Sequence, residues 1–258
     1  MNVAANKTDR PLQVFETSLQ YARFLAEDIR FFKSISKAFY STITPAEKEH
    51  LCWYKDGHWS LLNDMLRGLR KEKLPKNRSP LIGKFQKLWE RAKTEEQKQR
   101  AYEAQTKFIE EKDDVMTELF SRAPKLKRPK HVFRIVSGMK SILQRGKKVQ
   151  MTTYMSTSLD PAMPFFFLRH GRQYYKDPVL LVCEIAEDVP VIFLDDICKE
   201  SWEVIRDKQH EVLLPRDCTV HVLTDAFPCA NMADPLYDRR ERAGILMQRV
   251  RISCGGTP

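Results

Sequence analysis

The feature that most constrains this chain is a change of period partway along it. Up to about residue 120 the apolar residues repeat at helical spacing: Leu25, Ile29, Phe32, Ile35 and Phe39 form the stripe of a helix packed on a core. Thr44-Pro45-Ala46-Glu47 then supplies a capping hydroxyl, a proline at the first helical position and a glutamate placed to bond back, so a second helix starts there. Trp59, Leu62, Met65, Leu66 and Leu69 continue an apolar stripe after the Asp56-Gly57 break. A charged helical pattern follows from about Ile82 to about Phe120, with a cap at Thr94. After Pro129 short β-rich runs take over: VFRIV (132–136), VQMTTYM (149–155), VLLVCEI (179–185), VPVIFL (189–194), HEVLLP (210–215), CTVHVL (218–223) and ILMQRVRI (245–252). Helices first and strands second predict an α+β fold, not an alternating parallel sheet. The basic, proline-bearing stretch Lys125–Lys130 is the best boundary, giving a helical lobe over 1–124 and a β-rich core over 131–258 within one integrated domain.

With 258 residues, 42% of them hydrophobic, the chain can bury one large core or two modest ones. No apolar run approaches the roughly 20 residues of a membrane span, and MNVAANKTDR lacks the apolar centre of a signal peptide. The expected location is therefore cytoplasmic, in the chain's own cell or in a host cell after delivery. The six cysteines are scattered, without a C-x-x-C pair or a histidine at zinc-ligand spacing, which predicts free thiols, no disulfide and no metal. A net charge of +10 favours anionic partners, nucleic acid among them. The densest basic stretches, Arg67–Lys76 and Lys125–Lys130, carry prolines and no interleaved aromatics, so they read as solvated connections and nucleic acid is not the favoured partner.

Several chemistries lack their motifs. Ser137-Gly138-Met139-Lys140-Ser141 has neither the upstream glycine nor the Gly-Lys-Ser/Thr order of a phosphate-binding loop, and G-x-G-x-x-G, G-x-S-x-G and H-E-x-x-H are missing. What remains are three polar anomalies on apolar strands. Arg134 sits inside VFRIV, Ser156-Thr157-Ser158 ends the next run, and Gln209 and Glu211 stand two apart at the start of HEVLLP, on one face of a strand. Singly, each has an ordinary reading as an edge-strand arginine, a turn, or a solvated strand start.

Together and in this order they resemble the mono-ADP-ribosyltransferases of the Arg, Ser-Thr-Ser, Glu(Gln)-x-Glu class, which includes toxin domains. VFRIV is similar to the family's first core strand, MSTSLDP to its Ser-Thr-Ser signature, and KQHEVLLP to its catalytic strand. Upstream, Tyr54 followed by Asn63-Asp64-Met65-Leu66-Arg67 is similar to its helical lobe. The resemblance implies a mixed β-rich NAD-binding core of two packed sheets and an enzyme that transfers ADP-ribose from NAD, as substrate, to an acceptor protein. No metal is expected. NAD hydrolysis would be a side activity.

The resemblance also implies roles. Arg134 would hold the NAD phosphates, Ser156 would bond the nicotinamide side and help fix Glu211, and Thr157 and Ser158 would support the turn that follows. Glu211 would stabilise the positive charge that develops as the nicotinamide bond breaks. The run Phe165-Phe166-Phe167 can set a ring against nicotinamide, with Phe165 the residue assigned, or a face in the core. Arg169 and Arg172 lie near enough in sequence to reach the phosphates. Residues 195–208 would be the loop that presents the acceptor, with Trp202 inside it. Gln209 stands where arginine-modifying members have glutamate; a neutral amide cannot act as a base, which disfavours arginine and points to asparagine, glutamine or another neutral or nucleophilic side chain. The competing expectations are a nucleic-acid-directed binder or modifier on the same fold, and an inactive interaction module.

Overall fold

A computed structural model of the chain describes residues 18–55, 62, 63, 66, 87, 88, 90–137, 144–171, 177–195, 197, 209–229 and 245–255. The helical lobe comprises α1 (Ser18–Thr42), α2 (Pro45–Trp53) and α3 (Glu95–Arg122). Thr44 opens α2 through a full capping box, its hydroxyl accepting from Glu47 N at 3.2 Å while Glu47 Oε2 accepts from Thr44 N at 2.7 Å. Thr94 caps α3 with its hydroxyl alone, which accepts from Gln97 N at 3.2 Å.

The strands are β1 (Lys130–Val136), β2 (Lys148–Met151), β3 (Met155–Ser158), β4 (Val179–Ile185), β5 (Ile192–Phe193), β6 (Glu211–Leu214), β7 (Cys218–Val222), β8 (Phe227–Pro228) and β9 (Leu246–Ser253), with α4 (Ala162–Gly171) between β3 and β4. They form one nine-stranded mixed sheet in the order β2-β7-β9-β4-β1-β3-β6-β5, with β8 on β9. The pairs are antiparallel except β4 with β9. The two sheets expected from the resemblance are thus two halves of one hydrogen-bonded sheet, joined at β1–β3 through the single pair Phe133↔Ser158. Both halves line one core, since Val132 and Leu181 from one side cluster with Met155, Val212 and Phe193 from the other, under Phe32 of α1. A side chain as large and fully buried as Phe32 contributes roughly 1.5–3 kcal/mol by its removal from water.

A second cluster joins Phe39, Leu51, Tyr54, Met116 and Leu119 of the helical lobe to Ile192 and Leu213. A third sits on the opposite face, where α4 lays Phe165 and Leu168 on Phe133, Leu180, Val182 and Met247.

Three expectations are corrected. The run 149–155 is two elements, not one strand: β2 pairs with β7, whereas β3 begins at Met155 and pairs with β1 and β6. The Ser-Thr-Ser therefore is the strand, not its end. The stretch Lys125–Lys130 is not a solvated linker. Leu126 is buried and exchanges backbone bonds with Val189 and Asp188, Val191 N donates to Pro124 O at 3.0 Å, and the Lys130 ammonium pairs with Asp28 4.5 Å from the centre of the Phe31 ring. Two of the cysteines are bonded to each other as well. Cys218 and Cys254 flank the pair Thr219↔Ser253 of β7 and β9, which brings their Cα atoms to 4.6 Å across a sequence separation of 36, and they form a disulfide.

Candidate active site

The sheet brings the three anomalies to one cavity of about 180 Å³, lined by Arg134 of β1, all three residues of the Ser-Thr-Ser on β3, Glu211, which opens β6, and Gln209. Gln209 and Glu211 do not share a strand face as expected: β6 starts only at Glu211, and the left-handed His210 between them puts Gln209 in the turn before it. The register explains why. Strand β3 lies between β1 and β6, with Ser158 opposite Glu211 and Ser156 opposite Leu213.

The adjacent hydroxyls each hold a different point of β6 or of the turn just before it. Ser156 Oγ donates to Glu211 Oε1 at 2.6 Å, Thr157 Oγ1 to Val212 O at 2.6 Å and Ser158 Oγ to Gln209 O at 2.6 Å. Ser158 Oγ also accepts from Asp160 N at 2.9 Å, and Asp160 Oδ1 from Ala162 N at 2.8 Å, so the signature leads directly into the cap of α4. Arg134 Nη1 donates to Ser156 O at 2.6 Å. The guanidinium and the Glu211 carboxylate that opens β6 are therefore tied to the same serine.

Glu211 is 7% exposed. Burial pushes its carboxyl above the ordinary range; the Lys55 ammonium and the Ser156 hydroxyl pull it back, Asp195 adds to the rise and Arg134 opposes it. Neither Lys55 nor Asp195 was singled out by sequence. Lys55, one residue past the cap of α2, lines the cavity and its Nζ lies 3.2 Å from Asp195 Oδ1. Asp195, just after β5, also accepts from Glu211 N at 3.1 Å, His210 N at 2.9 Å and His210 Nδ1 at 3.0 Å. These donors outweigh burial and hold its carboxyl below the usual range.

The other residues fall as follows. Tyr54 and Asn63 line the cavity, with Asn63 Nδ2 donating to Tyr154 O at 3.2 Å and Tyr54 Oη at 3.4 Å. Tyr154, just before the signature, is anchored in turn on α3 by its hydroxyl, which donates to Asp113 Oδ1 at 2.7 Å. Phe165 does not reach the cavity: it is buried under α4, and Phe167, 42% exposed, lines the cavity with Met163 and Pro164. Two residues along a helix are about 200° apart around its axis, so the two rings must face opposite ways. Trp202 and Arg172 lie outside the described residues, as does the side chain of Arg169. Among the described residues there is no group of three His, Cys, Asp or Glu that could hold a metal, and no helix is long and apolar enough to cross a membrane.

Comparison with known proteins fits this arrangement. The family model of the ADP-ribosyltransferase exoenzymes matches residues 30–243. Among solved structures, the chain is similar to Plx2a, an ADP-ribosyltransferase toxin from Paenibacillus larvae, at 17% identity and a TM-score of 0.56 over 89% of this chain and 96% of that one. It is also similar to an ADP-ribosyltransferase from Clostridium botulinum, at 18% identity and a TM-score of 0.51 over 88% and 94% of the two chains. The Vis toxin of Vibrio splendidus gives 14% identity and 0.53 over 92% and 86%. No curated protein sequence matches. The chain belongs to the ADP-ribosyltransferase exoenzyme family, NAD-dependent mono-ADP-ribosyltransferases that pass ADP-ribose from NAD to a protein.

Proposed function

We propose that the cavity takes the nicotinamide-ribose end of NAD, and that ADP-ribose passes from it to asparagine, glutamine or another neutral or nucleophilic side chain of an acceptor protein. Without acceptor, water takes its place. The observation that carries this reading is the 2.6 Å bond from Ser156 to Glu211 in a cavity shared with Arg134 and Gln209. At about 180 Å³ the cavity is smaller than the roughly 300–1,000 Å³ of a pocket that encloses a whole drug-sized ligand, which suits one end of a dinucleotide.

Glu211 is the carboxylate that stabilises charge developing on the ribose as the nicotinamide bond breaks, and Ser156 keeps it aimed. Arg134 offers a planar fork of donors to the diphosphate. Thr157 and Ser158 act through β6, because their hydroxyls are given to Val212 O and Gln209 O. Phe167 takes the place assigned to Phe165 as the ring at the nicotinamide end. Gln209 lines the same cavity with a neutral amide, which can orient an acceptor but not deprotonate a guanidinium.

Nicotinamide release from NAD by wild type and by Glu211→Gln, with and without cell lysate, tests the reaction. Label transfer from NAD into lysate proteins then identifies the acceptor. Release that depends on Glu211, with label on a non-arginine side chain, is expected. Label on arginine, lost on Gln209→Ala, overturns the acceptor assignment; no release from a folded wild type under either condition overturns the reaction.

A further inference from the structure

Resting on the transferase reading, we propose that Asp195 and Lys55 are positioning residues for Glu211, forming a buried ion pair through which the helical lobe sets the place and charge of the reacting carboxylate. The geometry carries it. One carboxylate oxygen of Asp195 accepts from His210 N and Nδ1, and the other from Glu211 N and Lys55 Nζ. Two successive backbone N–H groups converging on one anion form a nest, and here the second of them belongs to Glu211 itself.

His210 has φ 46°, a left-handed conformation that a residue with a Cβ adopts only when its surroundings hold it there. Asp195 bonds both the backbone N–H and the ring of that residue. Glu211 is thereby fixed at both ends, its main chain by Asp195 and its carboxylate by Ser156. Since a carboxylate only accepts, His210 Nδ1 carries the proton in this contact.

The side chains of Lys55 and Asp195 are 2% and 7% exposed, so neither charge is compensated by water. Lys55 comes from the end of α2 and Asp195 from the end of β5, so the pair ties the helical lobe to the catalytic strand. Among the described residues, the charged groups around Glu211 are Lys55 after α2, Asp195 after β5 and Arg134 from β1, with the titratable His210 next to it in the chain. Lys55 is the cation that most opposes the upward push of burial on Glu211. Without it, Glu211 holds its proton to higher pH.

The test is steady-state nicotinamide release by the full chain, with kcat, KM for NAD and the pH profile measured for wild type, Asp195→Asn, Lys55→Met, Lys55→Arg and the pair Asp195→Ala and Asp195→Ala/His210→Gly. Asp195→Asn keeps side-chain volume, and far-UV circular dichroism is the check that it folds. It is expected to lower kcat by about 100-fold with KM for NAD little changed, the effect of a misplaced reacting group. Lys55→Met is expected to move the acid limb of kcat/KM to higher pH, and Lys55→Arg to leave it in place. Glycine at 210 adopts the left-handed conformation freely, so the double variant recovers part of the kcat that Asp195→Ala loses. Wild-type kcat in Asp195→Asn, or an acid limb that Lys55→Met leaves unmoved, overturns the inference. A wild type that releases no nicotinamide overturns the transferase reading instead.

Discussion

Glu211 and His50 are both buried titratable groups, 7% and 3% exposed, yet they live under opposite conditions. Burial drives each toward its neutral form. Around Glu211 the protein answers with Lys55, Ser156 and Arg134, which favour the charged carboxylate. Around His50, between α2 and α3, the Lys112 ammonium adds to the effect of burial, and together they bring the imidazole from 6.5 down to about 4 against a smaller pull from the Lys112 backbone. Neither His50 ring nitrogen completes a hydrogen bond among the described residues, and the ring lies 5.5 Å from that of Trp53. The contrast separates a group held ready to carry charge from one packed as a neutral filler.

Glu211→Gln should break the comparison most. Nicotinamide release is expected to fall by roughly 100- to 1000-fold, about 3–4 kcal/mol, as for the loss of one preorganised electrostatic group. Thermal unfolding should occur at the same or a higher temperature, since a neutral amide replaces a carboxyl that burial disfavours and still accepts from Ser156. A melting temperature lowered by several degrees would assign the carboxylate a structural role.

His50 should dominate the acid side of stability. Its folded pKa is depressed, so the unfolded chain takes up the proton first and stability is lost as pH falls between 6.5 and about 4, by about 3 kcal/mol at roughly 1.4 kcal/mol per pH unit. Glu211 acts with the opposite sign. Its folded pKa is raised, so its contribution favours the fold as pH falls. Urea unfolding at neutral and acid pH should show a flatter pH dependence in His50→Leu and a steeper one in Glu211→Gln; an unchanged slope in His50→Leu would move the effect elsewhere.

Thr157→Val tests the seam between β3 and β6. Losing the buried bond to Val212 O is expected to cost about 2 kcal/mol, with a loss of nicotinamide release as β6 loosens. Smallest is Thr44→Ala, which removes the capping box of α2 for about 1 kcal/mol and leaves kcat unchanged, as read by unfolding and by turnover.

The turn from helices to strands was legible because periodicity survives without tertiary information, and VLLVCEI is β4 residue for residue. The triad of anomalies was legible because a polar side chain among apolar strand residues stands out. VQMTTYM misled because its β-branched and aromatic residues continue the strand pattern through a break at Thr152–Tyr154, which only the different partners of β2 and β3 reveal. The Cys218–Cys254 bond depends on β7 lying beside β9, and no local spacing carries that. Lys55 and Asp195 are single charges whose meaning is their partner 140 residues away. An acidic residue closing an apolar strand, as in Phe193-Leu194-Asp195, is the one local hint.

Strand β9 comes last in sequence among the described strands but third in the sheet, between β7 and β4. As the chain leaves the ribosome, the β2–β7 ribbon therefore has no strand to dock against until residues 246–253 emerge. Synthesis halted just before them would leave two bare, sticky edges where the finished sheet has a paired strand, a template for aggregation. Strand β9 thus decides whether the strands made before it become a protein or a precipitate.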